Sequence, residues 1–204
     1  METAAERRDA QRQSLIEAAE RAVAAGGLSA VKARDLARQV GVALGAIYNL
    51  VADMDELHLR VASRTLARLD GALVEASAKT PCQSRDEACA RLVAIAHAYR
   101  RFARDHLNLW RALFEFRMAD DKPAPDWSRT DQLSLFHFII EPLRTLMPDA
   151  GDEDLRRWAQ TLFSAVHGIV ALGLERRFVA VPPESLDTQI ACFVRAICAG
   201  LPTD

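Results

Sequence analysis

Apolar residues recur along the chain at helical spacing, and no segment shows the strict alternation that is typical of a half-buried strand. The first periodic segment, Glu6–Ala25, ends at a glycine pair, and its apolar face consists of Leu15, Ala18, Ala19, Ala22 and Val23. One apolar face on a helix indicates packing on one side against a core. The pattern therefore predicts an all-α protein.

Nine helices are predicted in this way. They cover Glu6–Ala25, Lys32–Val40, Leu44–Leu50, Met54–Lys79, Arg85–Asp105, His106–Asp120, Trp127–Met147, Asp152–Phe178 and a last segment that starts after Pro183 and ends near Ala199. The clearest loop is DDKPAPDWS at Asp120–Ser128, because it holds two prolines in nine residues. Pro142 lacks a backbone N–H and predicts a kink or an early end in the helix that contains it.

The second and third predicted helices are short and joined by a tight turn. The first of them packs against the core through Leu36, Ala37 and Val40, and the next packs through Ile47 and either Leu50 or Val51. Gly41 between them is free to adopt a positive φ. The residues left facing outward are Ala43, Leu44, Gly45, Ala46, Tyr48 and Asn49. This is the plan of a helix-turn-helix DNA reader, whose second helix lies in the major groove.

A fixed register of residues in this region resembles the DNA-binding domain of the tetracycline repressor (TetR) family of transcriptional regulators. The family pattern is roughly R-D-I-A-x-x-x-G-V-S-x-G-T-L-Y-x-H-F-x-S-K-E-x-L. The chain matches it at Arg34-Asp35-Leu36-Ala37, Gly41-Val42, Gly45-Ala46-Ile47-Tyr48 and Asp55-Glu56-Leu57. The segment VHGIVAL, Val166–Leu172, also resembles a His-Gly segment in the penultimate helix of many members.

Five residues depart from what is usual in the family. Lys32 replaces the threonine that usually starts the second helix, and Ala43 replaces the serine that starts the reading helix, so two capping side chains are missing. Leu50-Val51 replaces the His-Phe pair of the family pattern, and Met54 replaces its lysine. Asp53 is still predicted to cap the fourth helix, with Glu56 completing a capping box.

The resemblance implies three parts: a helix-turn-helix domain at residues 1–53, a linking helix at 54–79, and an effector-binding and dimerisation domain at 80–204. It implies a homodimeric repressor that binds a pseudo-palindromic double-stranded DNA operator and a small hydrophobic effector. Tyr48 and Lys32 are expected to contact phosphate. The expected DNA-binding residues are Lys32, Arg34, Ala43, Leu44, Gly45, Ala46, Tyr48 and Asn49.

Aromatic residues and one histidine on the middle helices and the eighth suggest an effector site, although aromatic clusters at helical spacing are usually core. The candidates are Tyr99, Trp110, Phe114, Phe138 and His167. The last two helices are apolar over wide arcs, which predicts cover from two sides, one of them a second copy of the chain. The expected dimerisation residues are Leu162, Val166, Ile169, Ile190, Phe193 and Ile197.

Composition narrows the function further. The formal net charge is −2, and residues 1–60 hold eight Lys/Arg against nine Asp/Glu, so any contact with nucleic acid must come from a local patch. The four cysteines have no zinc-type spacing, and the five histidines include no i, i+4 pair, so no metal site and no cofactor are predicted. No nucleophile elbow, P-loop or dinucleotide motif appears, so an enzyme is not expected.

The polar N-terminus has no signal core, and no apolar run is long enough to span a membrane, so a cytoplasmic location is expected. One alternative function stays open at this point. Met54, Leu50 and the balanced charge allow a small-molecule or protein-interaction module of the same fold with little DNA binding.

Overall fold

The computed structural model describes residues 3–118, 123–175 and 179–202, and in these ranges the chain forms helices and no strand. The α-helices are α1 Ala4–Gly26, α2 Ala33–Val40, α3 Met54–Ala78, α4 Arg85–Asp105, α5 Leu107–Glu115, α6 Asp126–Ser134, α7 His137–Leu146, α8 Asp152–Leu174 and α9 Leu186–Gly200. Two 3-10 helices are η1 Leu28–Ala30 and η2 Leu44–Asn49. The all-α prediction is confirmed.

Some predicted bounds were wrong. The single helix expected at Trp127–Met147 is two helices, α6 and α7. Helix α7 begins after its N-cap Phe136, whose carbonyl oxygen accepts from the N–H groups of Ile139 and Ile140 at 3.0 and 2.9 Å. The interruption thus precedes Pro142, which stays inside α7. Helix α5 stops at Glu115. The predicted ends at Asp120 and Phe178 lie outside the described residues.

The chain forms two compact units. The first unit consists of Met1–Arg68 and His106–Gln132. Its core lies among α1, α2, η2, the first part of α3 and α5, and its fully buried side chains include Leu15, Val23, Leu36, Ile47 and Leu57.

Polar contacts hold α3 to its neighbours within the first unit. The carboxylate of Glu20 is only 5% exposed and is paired with the guanidinium groups of Arg64 and Arg68 on α3. A buried carboxylate needs such partners, because burial alone penalises its charge. Helix α6 is held to α3 by Ser63, whose hydroxyl donates to the Asp131 carboxylate at 2.5 Å.

The second unit consists of Leu69–Asp105 and Leu133–Asp204. Helix α4 packs against α7, α8 and α9 there. The guanidinium of Arg85 donates to the carbonyl oxygens of Leu146 and Cys198 at 2.7 and 2.8 Å, and so satisfies acceptors at the ends of α7 and α9.

The described cysteines are free thiols. Burial, with help from the adjacent Cys89 thiol, raises the pKa of Cys198 to about 12. Across the ranges that the structure describes, no helix is both long and apolar enough to cross a membrane.

Candidate nucleic-acid interface

The turn between α2 and η2 follows from Gly41. Its φ of 73° lies in the left-handed region that glycine adopts without steric cost. The left-handed conformation of Gly41 terminates α2 after Val40. The N–H of Val42 donates to the carbonyl oxygen of Ala37 at 3.0 Å. The sequence predicted this turn and the buried positions Leu36, Ala37 and Ile47 correctly. Leu50 and Val51, given as alternatives, are both buried, and Val40 is half-buried against the same core.

The segment after the turn presents its small residues to solvent. It is a 3-10 helix, so it is wound more tightly than the α-helix expected there. Ala43 starts it without a side-chain cap, as the missing serine predicted. Ala46 is half-buried, and the exposed residues are Ala43, Leu44, Gly45, Tyr48 and Asn49. Leu44 and Tyr48 are 43% and 51% exposed, which is high for large apolar side chains.

Two arginines of α1 hold the end of η2 in place. Arg8 donates to the carbonyl oxygen of Asn49 from Nε at 3.0 Å and from its terminal nitrogen at 2.5 Å. Arg12 donates from Nε to the carbonyl oxygen of Leu50 at 2.8 Å. The last carbonyl groups of a helix lack internal donors, and charged donors satisfy them well. Sequence reasoning missed both residues.

The start of α3 is capped as the sequence predicted, with one difference. The N–H of Glu56 donates to the Asp53 carboxylate at 2.7 Å. The Glu56 carboxylate accepts from the N–H of Ala52 at 2.7 Å, one residue earlier than in a standard capping box. Glu56 also pairs with Arg60, whose guanidinium lies 4.4 Å from the ring centroid of Trp127 on α6. These contacts fix the chain that follows η2.

The positively charged side chains beside the turn are not equally free to bind phosphate. Lys32 and Arg34 are exposed, and neither forms an ion pair within the described residues. Arg38 is also exposed, but it pairs with Asp35 at 3.0 Å. Lys32 occupies the N-cap position of α2 without a side-chain cap bond. Lys32 and Arg34 are therefore the cations that a phosphate can engage without breaking an existing pair.

The candidate effector residues fall into both units. Trp110 and Phe114 belong to the first unit and meet edge to face, with ring centroids 5.5 Å apart. Phe138 is buried in the second unit. Tyr99 and His167, also in the second unit, are joined by a hydrogen bond of 2.7 Å between the hydroxyl and Nδ1.

Phenylalanine rings surround that polar pair. Phe163 lies edge to face with Tyr99 at 5.8 Å and with Phe136 at 5.6 Å, measured between ring centroids. Burial lowers the pKa of His167 and so favours the neutral form of its imidazole. The rings and the polar pair thus form an aromatic cluster around the Tyr99–His167 hydrogen bond.

The first unit contains a small cavity beside His58, with room for about one water molecule. It is lined mostly by apolar side chains of α1, α3 and α5, and the His58 ring lies 5.1 Å from that of Phe116. Neither ring nitrogen of His58 has a hydrogen-bond partner among the described residues. Burial lowers the pKa of His58, against an opposing effect of Asp55.

The candidate dimerisation residues divide by exposure. Ile169, Phe193 and Ile197 are half-buried. Leu162 and Val166 are buried within one chain, and Ile190 is fully buried there. A fully buried side chain belongs to the core of its own protomer, so a surface formed by α8 and α9 excludes Ile190. Leu172, also on α8, is 46% exposed.

Helices α1, α2 and η2 pack around one core, and the short η2 exposes its outer face. This arrangement defines a helix-turn-helix protein. Within the described residues no group of three or more His, Cys, Asp or Glu could hold a metal ion. The pattern of the tetracycline repressor-like C-terminal domain matches residues 92–197, which is more than half of the chain. The chain belongs to the tetracycline repressor family of transcriptional regulators, which are DNA-binding transcription factors and not enzymes.

Solved structures share this fold. A protein of unknown function from Rhodococcus sp. RHA1 is 24% identical with a TM-score of 0.74, over 94% of this chain and 95% of that one. A TetR transcriptional regulator from the same strain is 17% identical with a TM-score of 0.61, over 95% and 98%. The TetR family regulator PfmR from Thermus thermophilus is 16% identical with a TM-score of 0.57, over 94% and 97%. No curated protein matches the sequence.

Proposed function

We propose that the protein is a repressor that binds a pseudo-palindromic operator as a homodimer and releases it when a small hydrophobic effector binds. The observation that carries the proposal is the exposed face of η2, held at its end by Arg8 and Arg12. Small residues at the start of a reading helix allow its backbone to approach base edges closely. Lys32, Arg34 and Tyr48 lie in the same sequence segment and supply phosphate contacts.

Exposed apolar side chains on α8 and α9 support the homodimer. Leu172 and Ile169 on α8, and Phe193 and Ile197 on α9, remain partly or largely exposed in one chain. Two helices from each protomer bury such side chains in a four-helix bundle. A dimer places two reading helices in successive major grooves, so the half-sites lie about 10 bp apart or a multiple of that.

The polar pair Tyr99–His167 and the rings around it support an effector site in the second unit. The effector is then mostly apolar, contains an aromatic ring, and meets Phe163 and Phe136. The signal passes through α3, because this one helix begins beside the end of η2 and continues into the second unit. Linkage requires operator DNA to weaken the effector by the same factor by which the effector weakens DNA, typically about 5–150-fold.

Selection of bound DNA from a random duplex library tests the operator proposal. The purified protein at low salt should enrich one site with two related half-sites. Tyr48→Phe should bind that site and unrelated DNA more weakly by a similar factor, since a phosphate contact carries no sequence information. Failure of a folded protein to enrich any site would favour the alternative, an interaction module of the same fold with little DNA binding.

Tryptophan fluorescence against a library of hydrophobic metabolites tests the effector proposal. A true effector changes the signal and releases operator DNA, and Phe163→Ala abolishes both effects while the protein stays folded. Arg157→Ala, an exposed change on the same helix, is the control. If no compound does both, or if Phe163→Ala only lowers stability as a core truncation does, the aromatic cluster is core.

A further inference from the structure

The segment that faces DNA in the proposed function contains no cation. Between Arg38 and Arg60 the chain has no lysine or arginine, so Gln39–Leu59 cannot make the bidentate arginine or lysine contact to guanine. The two flanking arginines are already engaged. Arg38 pairs with Asp35 at 3.0 Å, and Arg60 pairs with Glu56 at 3.0 Å and lies against Trp127.

The exposed groups of η2 match a different base pair. Leu44 offers an isobutyl group and is 43% exposed, and Ala43, the N-cap residue of η2, offers a methyl group. The thymine methyl is the one apolar group that the four bases present in the major groove. Asn49 is the one side-chain amide of η2 and it is exposed, while its backbone carbonyl is held by Arg8. An amide side chain pairs with the N6 and N7 atoms of adenine.

Gly45 supports a close approach at the same face. Its φ is not positive, and a Cβ built on it meets no atom within 4 Å. The fold therefore does not require a glycine at this position, and alanine has the higher helix propensity. A partner surface that comes against the backbone of η2 would meet a Cβ at this position, so glycine allows the closer approach.

We infer that the bases under η2 are A·T pairs, read by apolar contact between Leu44, Ala43 and thymine methyl groups and by the Asn49 amide on adenine. The inference rests on the proposed operator binding and names the chemistry of its half-site. The η2 segment does not read guanine through charged hydrogen bonds.

Replacing thymine by uracil in the selected operator provides the test, because uracil lacks the methyl group and keeps the same base-pairing edge. At one or more half-site positions the change should weaken binding about fourfold per buried methyl. Against Leu44→Ala the same replacement should cost clearly less, since the contact is already gone. Uracil outside the half-sites is the DNA control. Tyr48→Phe is the protein control and should keep the full uracil penalty.

Gly45→Ala adds an independent measurement. The variant should melt at the wild-type temperature or above and still bind the operator at least tenfold more weakly. A selected half-site with essential guanines under η2, or a uracil scan without effect at any position, would overturn the inference and leave operator binding intact. A selection that returns no enriched site would remove the proposed function together with the inference.

Discussion

The side chain of Arg12 on α1 donates to the carbonyl oxygen of Leu50 across a sequence separation of 38 residues, with 2.8 Å between the two atoms. Together with Arg8, which donates to the carbonyl oxygen of Asn49, it fixes the end of η2 to α1. Since these guanidinium groups already bind backbone, we expect them to affect DNA affinity by positioning η2.

Arg12→Ala should therefore weaken operator binding and leave its salt dependence unchanged. The free energy of unfolding should fall by about 1.5 kcal/mol, the low end for a hydrogen bond to a charged group, because the Arg12 side chain is 35% exposed. Arg21→Ala, an exposed change on the same helix, is the control and should alter neither quantity. Fluorescence anisotropy over a salt series measures the slope, and a reduced slope would mean that Arg12 contacts phosphate instead.

Lys32→Ala should lower the salt dependence of operator binding. Each lost phosphate contact reduces the slope of log K against log[salt] by about 0.9, so a dimer with two such contacts loses about 1.8. Arg38→Ala should have a smaller effect, because Arg38 is paired with Asp35. Equal effects of the two variants would argue against this assignment of the phosphate contact.

Met54→Lys should strengthen DNA binding. Met54 starts α3 among Asp53, Asp55 and Glu56, and it takes the place of the lysine in the family pattern quoted above. A new cation there adds a phosphate contact in each protomer, so the salt slope should become steeper by about 1.8. Met54→Gln is the uncharged control. An unchanged slope for Met54→Lys would place the start of α3 away from the DNA backbone.

Charged substitutions on α9 should separate dimer surface from core. Phe193→Glu, at a half-buried position, should give a folded monomer, because it places charge in the proposed interface and not in the core of the protomer. Ile190→Glu should unfold the chain, since this side chain is fully buried. Light scattering gives the mass and circular dichroism the helix content. A wild-type protein that stays monomeric at micromolar concentration would exclude the interface.

Acidification should destabilise the protein through His58 and His167, whose pKa values are both lowered by burial. The unfolded chain takes up their protons first as pH falls below about 6.5, while the folded chain resists protonation. The contribution of these two neutral histidines to the free energy of unfolding is thus fully present above that pH. It is lost as pH falls through their lower folded-state pKa values.

The urea midpoint at pH 7.5 and at 5.5 measures this loss. His58→Leu should reduce the difference between the two midpoints and can also fill the adjacent cavity. His137→Gln, an exposed change, is the control and should leave the difference as in the wild type. A His58→Leu variant with the wild-type acid sensitivity would show that His58 contributes nothing to it.

Local spacing was sufficient to predict the interior of the helix-turn-helix. Leu36, Ile47 and Leu50 recur at helical intervals around Gly41, whose left-handed conformation few other residues adopt. The Asp53 cap was predictable for the same reason, since donor and acceptor are three residues apart. Such features depend only on neighbours in sequence.

Contacts between distant segments left no such signal. The acceptors of Arg8 and Arg12 are backbone carbonyls, which every residue carries, so no residue type marks them. On α8 and α9 the wide apolar arcs predicted two covered sides but not which side the protomer itself covers. That is why Ile190 was grouped with Phe193, although only Phe193 remains partly accessible.

The stretch without lysine or arginine between Arg38 and Arg60 also bears on competition inside a genome. Any DNA-binding protein is diluted over an enormous excess of unrelated duplex, and its attraction to that excess is almost entirely electrostatic. In the proposed complex, a reading surface that relies on methyl contact and on the Asn49 amide gains little from random sequence. Fewer copies of the protein are then held on bulk DNA, and a modest absolute affinity for the operator is enough to occupy it.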